Sequence, residues 1–411
     1  MIPITEPPSL IKKHLSRFNS LFSKPQSGHF ATYLTGLIVS SNKTVQGINN
    51  NFIDHKDQSN LNLFLNESNW DEQELDNRRL ELIKESAFGG KETKPKDSFL
   101  VIDDTISHKT GKEIEQVELV FDHSIQKNVL GHQLVTSLLV SKDKQFPIGF
   151  RLYQREKDDS PDFKSKVQLA RELIEDAVAK GISFSCVVFD SWYLSAEIVS
   201  CIKKLGKYWV SPLKNNRIVI KQQKRIPVLE YLSTIPKSVY KQKYINGVLY
   251  WYYAETINIS KLGKIFIVAY HKTPDCSDEI TILGSSALVW TPDKIIYTYL
   301  QRWNIETFYK DSKQNLGFED YELRKLKGII RHWHLVFLAY TILQLSSHEQ
   351  SLTKWVSSNL KTIGDQCRFA VSEIIKYFVL WILKMYQYYN DEEKVVTLIF
   401  NPKAQFRFSF E

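Results

Sequence analysis

Two short apolar runs, each closing on aspartate, organise the middle of this chain. They are Ser98-Phe-Leu-Val-Ile-Asp-Asp-Thr105 and Ile182-Ser-Phe-Ser-Cys-Val-Val-Phe-Asp190. Both are short, rich in β-branched and aromatic residues and followed by turn formers, the pattern of buried strands. Between them, residues 134–141 and 146–154 read as two further strands, and Pro161 to Lys180 has a helical period. After Asp190 the pattern predicts a helix from Ala196 to Leu205 and a strand over Tyr208-Trp-Val-Ser-Pro-Leu213. Three strands followed by alternating helices and strands predict an α/β fold, a mixed sheet with helices on both faces.

On either side of this centre the period is helical. Ile11, Leu15, Phe18 and Phe22, then Leu61, Phe64 and Leu65, recur at three- to four-residue spacing, predicting several short helices over 8–85. Asp71-Glu-Gln-Glu enriches one helix start in acid, as the helix dipole favours. Phe88-Gly-Gly-Lys-Glu-Thr-Lys-Pro-Lys-Asp97 has linker composition. Residues 217–290 read as an antiparallel β insertion, because Asn246-Gly247 between two β runs is a type I′ hairpin signal and Leu262-Gly263 marks a second hairpin. Three more helices are expected over 323–345, 365–388 and 391–400. The expected order is a helical region 1–88, a first catalytic segment 98–216, the β insertion 217–290, a completing segment 291–345 and a helical tail 346–411.

The polar positions supply the chemistry. Tyr299, Arg302, Glu306 and Lys313 lie three, seven and fourteen residues along from the first of them. A helix turns about 100° per residue, so one continuous helix over 295–314 would carry all four on one face. A carboxylate can hold a divalent cation, and Arg and Lys hold phosphate oxygens. The same residues also fit a surface ion-pair face, Arg302 with Glu306. In α/β sheets, ligands collect beyond the carboxyl ends of strands, so the strand-end aspartates are site candidates; each alone also fits a cap or turn residue. Adjacent strand residues face opposite sides, and geometry leaves Asp103 and Asp104 equivalent as the first acid. Like charges held together repel unless a cation compensates them. Two strand-end acids and a helix-borne Glu therefore imply Mg²⁺ or Mn²⁺ and phosphoryl transfer.

These residues resemble the DDE-type insertion-sequence transposases, whose catalytic domain is ribonuclease-H-like. The third acid of one large branch lies in a Tyr-x2-Arg-x3-Glu-x6-Lys signature, and Tyr299, Arg302, Glu306 and Lys313 match its four positions. Asp103-Asp-Thr105 resembles the first-acid motif, in which the Asp directly before Thr is the ligand, and so implies Asp104; Phe189-Asp-Ser191 resembles the second. The likeness covers about 98–215 and 287–345, with a weaker echo at Thr362 to Arg368. It implies that Asp104, Asp190 and Glu306 bind Mg²⁺, with Mn²⁺ as substitute, and cut and join DNA. Tyr299, Arg302, Trp303 and Lys313 would then contact DNA, and two protomers would work together on paired transposon ends. The competing expectations are a ribonuclease-H-like nuclease without strand transfer and a non-catalytic DNA-binding relic.

Charge agrees with a polyanionic partner. The formal net charge is +8. From Ile198 to Leu229 there are eight basic residues and no acid, Lys214 and Arg217 among them, which reads as a phosphate-tracking strip or as a solvated basic face. In the first fifty residues Glu6 is the only acid; that region reads as a DNA-end-binding module, helix-turn-helix-like around Leu37 to Phe52, or as a helical cap. Tyr240, Tyr244 and Tyr250 to Tyr253 read as base-stacking aromatics or as ordinary strand residues. The four cysteines lack paired or zinc-finger spacing and read as reduced thiols. His332 and His334, two apart, do not share a helical face for a metal. No Gly-x4-Gly-Lys-Ser/Thr loop occurs, so ATP is not expected. The N-terminus lacks a signal-peptide pattern and no apolar run nears the ~20 residues that span a bilayer. The expected location is the cytoplasm, with the nucleoid.

Overall fold

The computed structural model describes residues 2–54, 57–88, 97–156, 163–346 and 362–400. The chain begins with helices α1 (Ser9–Leu15), α2 (Lys24–Val39), α3 (Val45–Asn49), α4 (Gln58–Asn66) and α5 (Glu72–Phe88). Strands β1 (Ser98–His108), β2 (Glu118–Asp122), β3 (Lys127–Ser141) and β4 (Lys144–Tyr153) follow. Next come α6 (Lys166–Ala179), β5 (Cys186–Phe189), α7 (Ala196–Lys204) and β6 (Tyr208–Pro212). The segment after them holds β7 (Ile218–Lys221), β8 (Lys224–Pro227), α8 (Val228–Ser233), β9 (Lys241–Ile245), β10 (Val248–Ile259), β11 (Gly263–His271) and β12 (Thr281–Ser285). Helices α9 (Pro292–Leu300), α10 (Trp303–Leu316), α11 (Leu326–Ser346), α12 (Ile363–Tyr389) and α13 (Glu392–Phe400) complete it. Most of the linker read over 88–97, the start of the helix read from Pro161 and parts of the tail read over 346–411 lie outside the described residues.

Two compact units result. One takes 1–86, 109–117 and 310–411 and is helical; the other takes 87–108 and 118–309 and holds every strand found among the described residues. In the helical unit α11 is buried along nearly its whole length, so its apolar residues face neighbours all round. Its Arg331 reaches the Phe64, Leu65, Ser68 and Trp70 carbonyls and Glu72, which compensates the cost of burying a guanidinium. His332 bonds Tyr33 and the Gly317 carbonyl, and burial holds its imidazole down to about 3. His334 lies 3.5 Å from Asp76 and is also buried, so both histidines belong to the core. The helix-turn-helix reading around Leu37 to Phe52 meets a five-residue α3 whose Val45, Ile48 and Asn49 are buried. A helix that short, facing inward, does not present a recognition surface. Among the described residues no helix is long and apolar enough to cross a membrane, and the four cysteines are free.

In the other unit, β4, β3 and β1 are antiparallel neighbours, and β1, β5 and β6 run parallel through the crossover helices α6 and α7. This is the mixed α/β arrangement expected, with the ribonuclease-H-like order β4-β3-β1-β5-β6. β1 is buried on both faces from Ser98 to Ile102, which is why its sequence runs apolar without alternation. The short β2 was not legible in the sequence. The 217–290 segment forms its expected hairpins: Asn246 and Gly247 both have positive φ, as a type I′ turn requires, and Gly263 ends the next turn at φ 78°. Its strands are not a separate sheet, however. β12 pairs with β6, so β11 and β10 extend the central sheet outward.

Candidate active site

The pairing of the two central parallel strands stops at Ile102 and Phe189, and an aspartate comes next on each side, Asp103 and Asp190; β5 ends there, while β1 runs on to His108 against β3. Alternation along β1 turns Asp103 to one face and Asp104 to the other. On the face of Asp103 stand Thr136 of β3, directly across the ladder, and Tyr309 of α10, their hydroxyls 2.6 Å apart. Glu306 lies one turn earlier on α10. Arg302 joins the two acids: its Nη1 donates to Asp103 Oδ2 at 2.7 Å and to Glu306 Oε1 at 3.2 Å.

Burial pushes the Asp103 carboxyl up to about 7; Arg302 opposes this, and the charges of Asp104 and Glu306 reinforce it. Arg302 is buried too, but Asp103, Tyr299 and Glu306 hold its guanidinium above the usual range. The Tyr299 phenol is raised by burial, opposed by its bond to Arg302 and raised further by Asp190 and Asp103. Asp103, Asp190, Tyr299, Arg302 and Glu306 thus form one electrostatic group. Among the described residues no three His, Cys, Asp or Glu side chains converge as a ready cation shell; Arg302 bridges the two carboxylates instead.

The resemblance implied Asp104 as the first acid; the carboxylate that meets Arg302, and through it Glu306, is that of Asp103. Asp104 lies on the α6 side, where Gln133, Lys166 and Tyr193 bond it. The helix expected over 295–314 is broken: α9 stops at Leu300, Gln301 and Arg302 turn through three-residue hydrogen bonds, and α10 restarts at Trp303. The break puts Arg302 at a corner, from which it reaches back across 199 positions to Asp103. Trp303 is 69% exposed beside it, leaving its indole open to a partner. Lys313, on the part of α10 within the helical unit, pairs with Glu319 at 2.5 Å.

The basic strip is not one surface. Lys203 and Lys204 close α7, where cations suit the helix dipole. Lys221 is held by Glu255 and Tyr231, and Arg225 by Ser260. Arg217 donates to the Leu194 carbonyl, so it serves the fold, whereas Lys214 is exposed at the turn after β6. Sequence reading missed Gln133, Thr136, Lys166 and Tyr309 as site neighbours. For Lys166 the available signal was its place behind the capping box of Ser165 and Gln168, which opens α6 at the strand-end side of the sheet. Tyr193, in the turn after Asp190, belongs to no motif that would mark it.

A ribonuclease-H-like α/β unit with acids side by side where two parallel strands part, backed by a helix-borne glutamate, defines a class of phosphoryl-transfer folds. Residues 17–232, more than half of the chain, match the family model "DDE superfamily endonuclease", and 150–353 match the model "Archaeal putative transposase ISC1217". The chain belongs to the DDE superfamily endonuclease family. A protein of Microchaete diplosiphon named "Probable transposase for insertion sequence element IS701" is 28% identical over 166 residues, 39% of this chain. That stretch spans 42% of the relative's own length. The resemblance to DDE-type insertion-sequence transposases drawn from the four-residue signature is borne out by these matches.

Proposed function

We propose that the protein is a DNA transposase, in which Asp103, Asp190 and Glu306 form the acidic set. The observation that carries this reading is Arg302 bridging Asp103 and Glu306 where the pairing of β1 with β5 stops. The set fits a hard divalent cation: all its donors are oxygens, and the rise of the Asp103 carboxyl through burial and neighbouring negative charge is strain a cation would relieve. Mg²⁺, or Mn²⁺ in its place, would supply Lewis acidity and a water of lowered pKa.

The chain's own residues do the rest. With a cation held by the carboxylates, Arg302 would be available to offer its planar fork to phosphate oxygens of the strand being cut. Tyr299, bonded to Arg302, orients that fork. Trp303 supplies an open stacking face next to it, and Lys214 a further charge at the rim. Lys313 is assigned to phosphate contact from the signature alone. Two such sites, one per DNA end, require two protomers. The stripe Val371, Ile375, Val379 and Leu383 on α12 offers exposed apolar surface for pairing two copies.

The test is cleavage and joining of double-stranded DNA carrying the element's own ends, with Mg²⁺. Transfer of a pre-cleaved 3′ end into a second duplex, abolished by Asp190→Asn, is the expected result. Hydrolysis without joining would instead make the protein a nuclease. No reaction with authentic ends would leave a DNA-binding relic.

A further inference from the structure

Asp104 is the most heavily bonded acid near the site, and it faces away from the other acids. Its Oδ2 accepts from Gln133 Nε2 at 2.7 Å and from Lys166 Nζ at 2.8 Å, and its Oδ1 accepts from the Tyr193 hydroxyl at 2.7 Å. The donors come from three elements: β3, the first turn of α6, and the turn that follows Asp190. A carboxylate so satisfied has few lone pairs left for any other ligand.

Tyr193 is the telling partner. It is 1% exposed, and its backbone N–H donates to the Asp190 carbonyl at 3.0 Å, closing the turn on which Asp190 sits. Two residues on, Ser195 caps α7 by accepting from the Ile198 N–H, which fixes the far side of the same turn. Burial and the adjacent Asp104 charge keep the phenol protonated, so it remains a donor. Lys166 is held as well: its ammonium lies 5.4 Å from the ring centres of both Tyr153 and Trp192.

We propose that Asp104 is a positioning residue, which through Tyr193 sets the place of Asp190 relative to Asp103. On a strand, fixing one side chain fixes its neighbour on the other face, so the clamp on Asp104 also holds Asp103. Because Tyr193 belongs to the Asp190 turn, one partly buried carboxylate ties β1 to the turn that follows β5. Gln133 and Lys166 anchor that tie to β3 and α6. The inference rests on reading Asp103, Asp190 and Glu306 as the cation-binding set.

The experiment measures Mn²⁺ binding to the full-length protein by electron paramagnetic resonance, without DNA, for wild type, Tyr193→Phe, Lys166→Gln and Asp103→Asn. Circular dichroism and DNA binding in EDTA control for folding. Loss of a hydrogen bond made directly to a metal ligand costs roughly 10- to 100-fold in metal affinity, and Tyr193 acts one residue further out, so the lower end applies. A Tyr193→Phe protein that is folded, binds DNA as wild type does and holds Mn²⁺ about 10-fold more weakly is the expected result. Its Mg²⁺ requirement for cleavage should rise by the same factor. If Tyr193→Phe does not fold, Lys166→Gln carries the same expectation. Wild-type Mn²⁺ affinity in Tyr193→Phe and Lys166→Gln, beside a loss in Asp103→Asn, would overturn the positioning role alone. Wild-type affinity in Asp103→Asn would overturn the acidic set itself, and this inference with it.

Discussion

Replacing Asp103 by Asn should stabilise the metal-free protein above neutral pH, and the structure gives the size of the effect. The Asp103 carboxyl is held up to about 7 from an ordinary value of 3.8, a rise of about 3 units. Below pH 3.8 the group is protonated in both folded and unfolded chains and costs nothing. Between 3.8 and about 7 the unfolded chain releases the proton and the folded chain keeps it, so stability falls as pH rises, by about 1.4 kcal/mol per unit. Above about 7 the loss is complete, with a ceiling near 4 kcal/mol. Asn carries no charge and escapes this penalty. It also gives up one acceptor, since Asp103 takes the Asp104 N–H at 2.9 Å as well as Arg302. That loss is roughly 1–3 kcal/mol, while Arg302 keeps Glu306. The net gain at pH 8 is about 1–3 kcal/mol, vanishing or reversing near pH 4. Urea unfolding of both proteins in EDTA at pH 4 to 8 gives the difference directly. A difference that does not change with pH would refute the reasoning, because it would mean that Asp103 is not strained by ionisation.

Two further outcomes follow. Arg302→Ala should weaken binding to transposon-end DNA and lower the salt slope by about one; it should also lower thermal stability in EDTA, because Asp103 and Glu306 lose the cation between them. Gly317→Ala should destabilise the helical unit by roughly 2–4 kcal/mol, read by thermal unfolding, because Gly317 sits at φ 69° and an added Cβ would come within 2.6 Å of the Lys43 side chain.

Much of the fold was legible because local chemistry and tertiary need agree. The apolar run of β1, the Asn246-Gly247 turn and the acid-rich start of α5 each have one cheap conformation, and the structure adopts it. The joining of β12 to β6 was not legible, since strand partners in distant sequence are chosen by packing and not by local pattern. The Tyr299 to Lys313 spacing was legible as a signature but misleading as a continuous helix: nothing in Gln301-Arg302 marks a break, and Arg302's bond to Asp103 at 2.7 Å lies across 199 positions. The choice between Asp103 and Asp104 was beyond sequence for a simpler reason. Two identical side chains differ only in what faces them.

That twinning has a consequence for how β1 finds its seat. The strand's interior, Phe99 to Ile102, is apolar on both faces, so sliding it by one residue would exchange one buried greasy surface for another at little cost. The aspartates carry the discrimination instead. Asp104 needs three donors on one side and Asp103 an arginine on the other, and a one-residue slip would point each at the wrong partners. The two acids in the middle of the strand are therefore what index its apolar first half. A double substitution that neutralises both acids should leave the central sheet free to settle in more than one alignment.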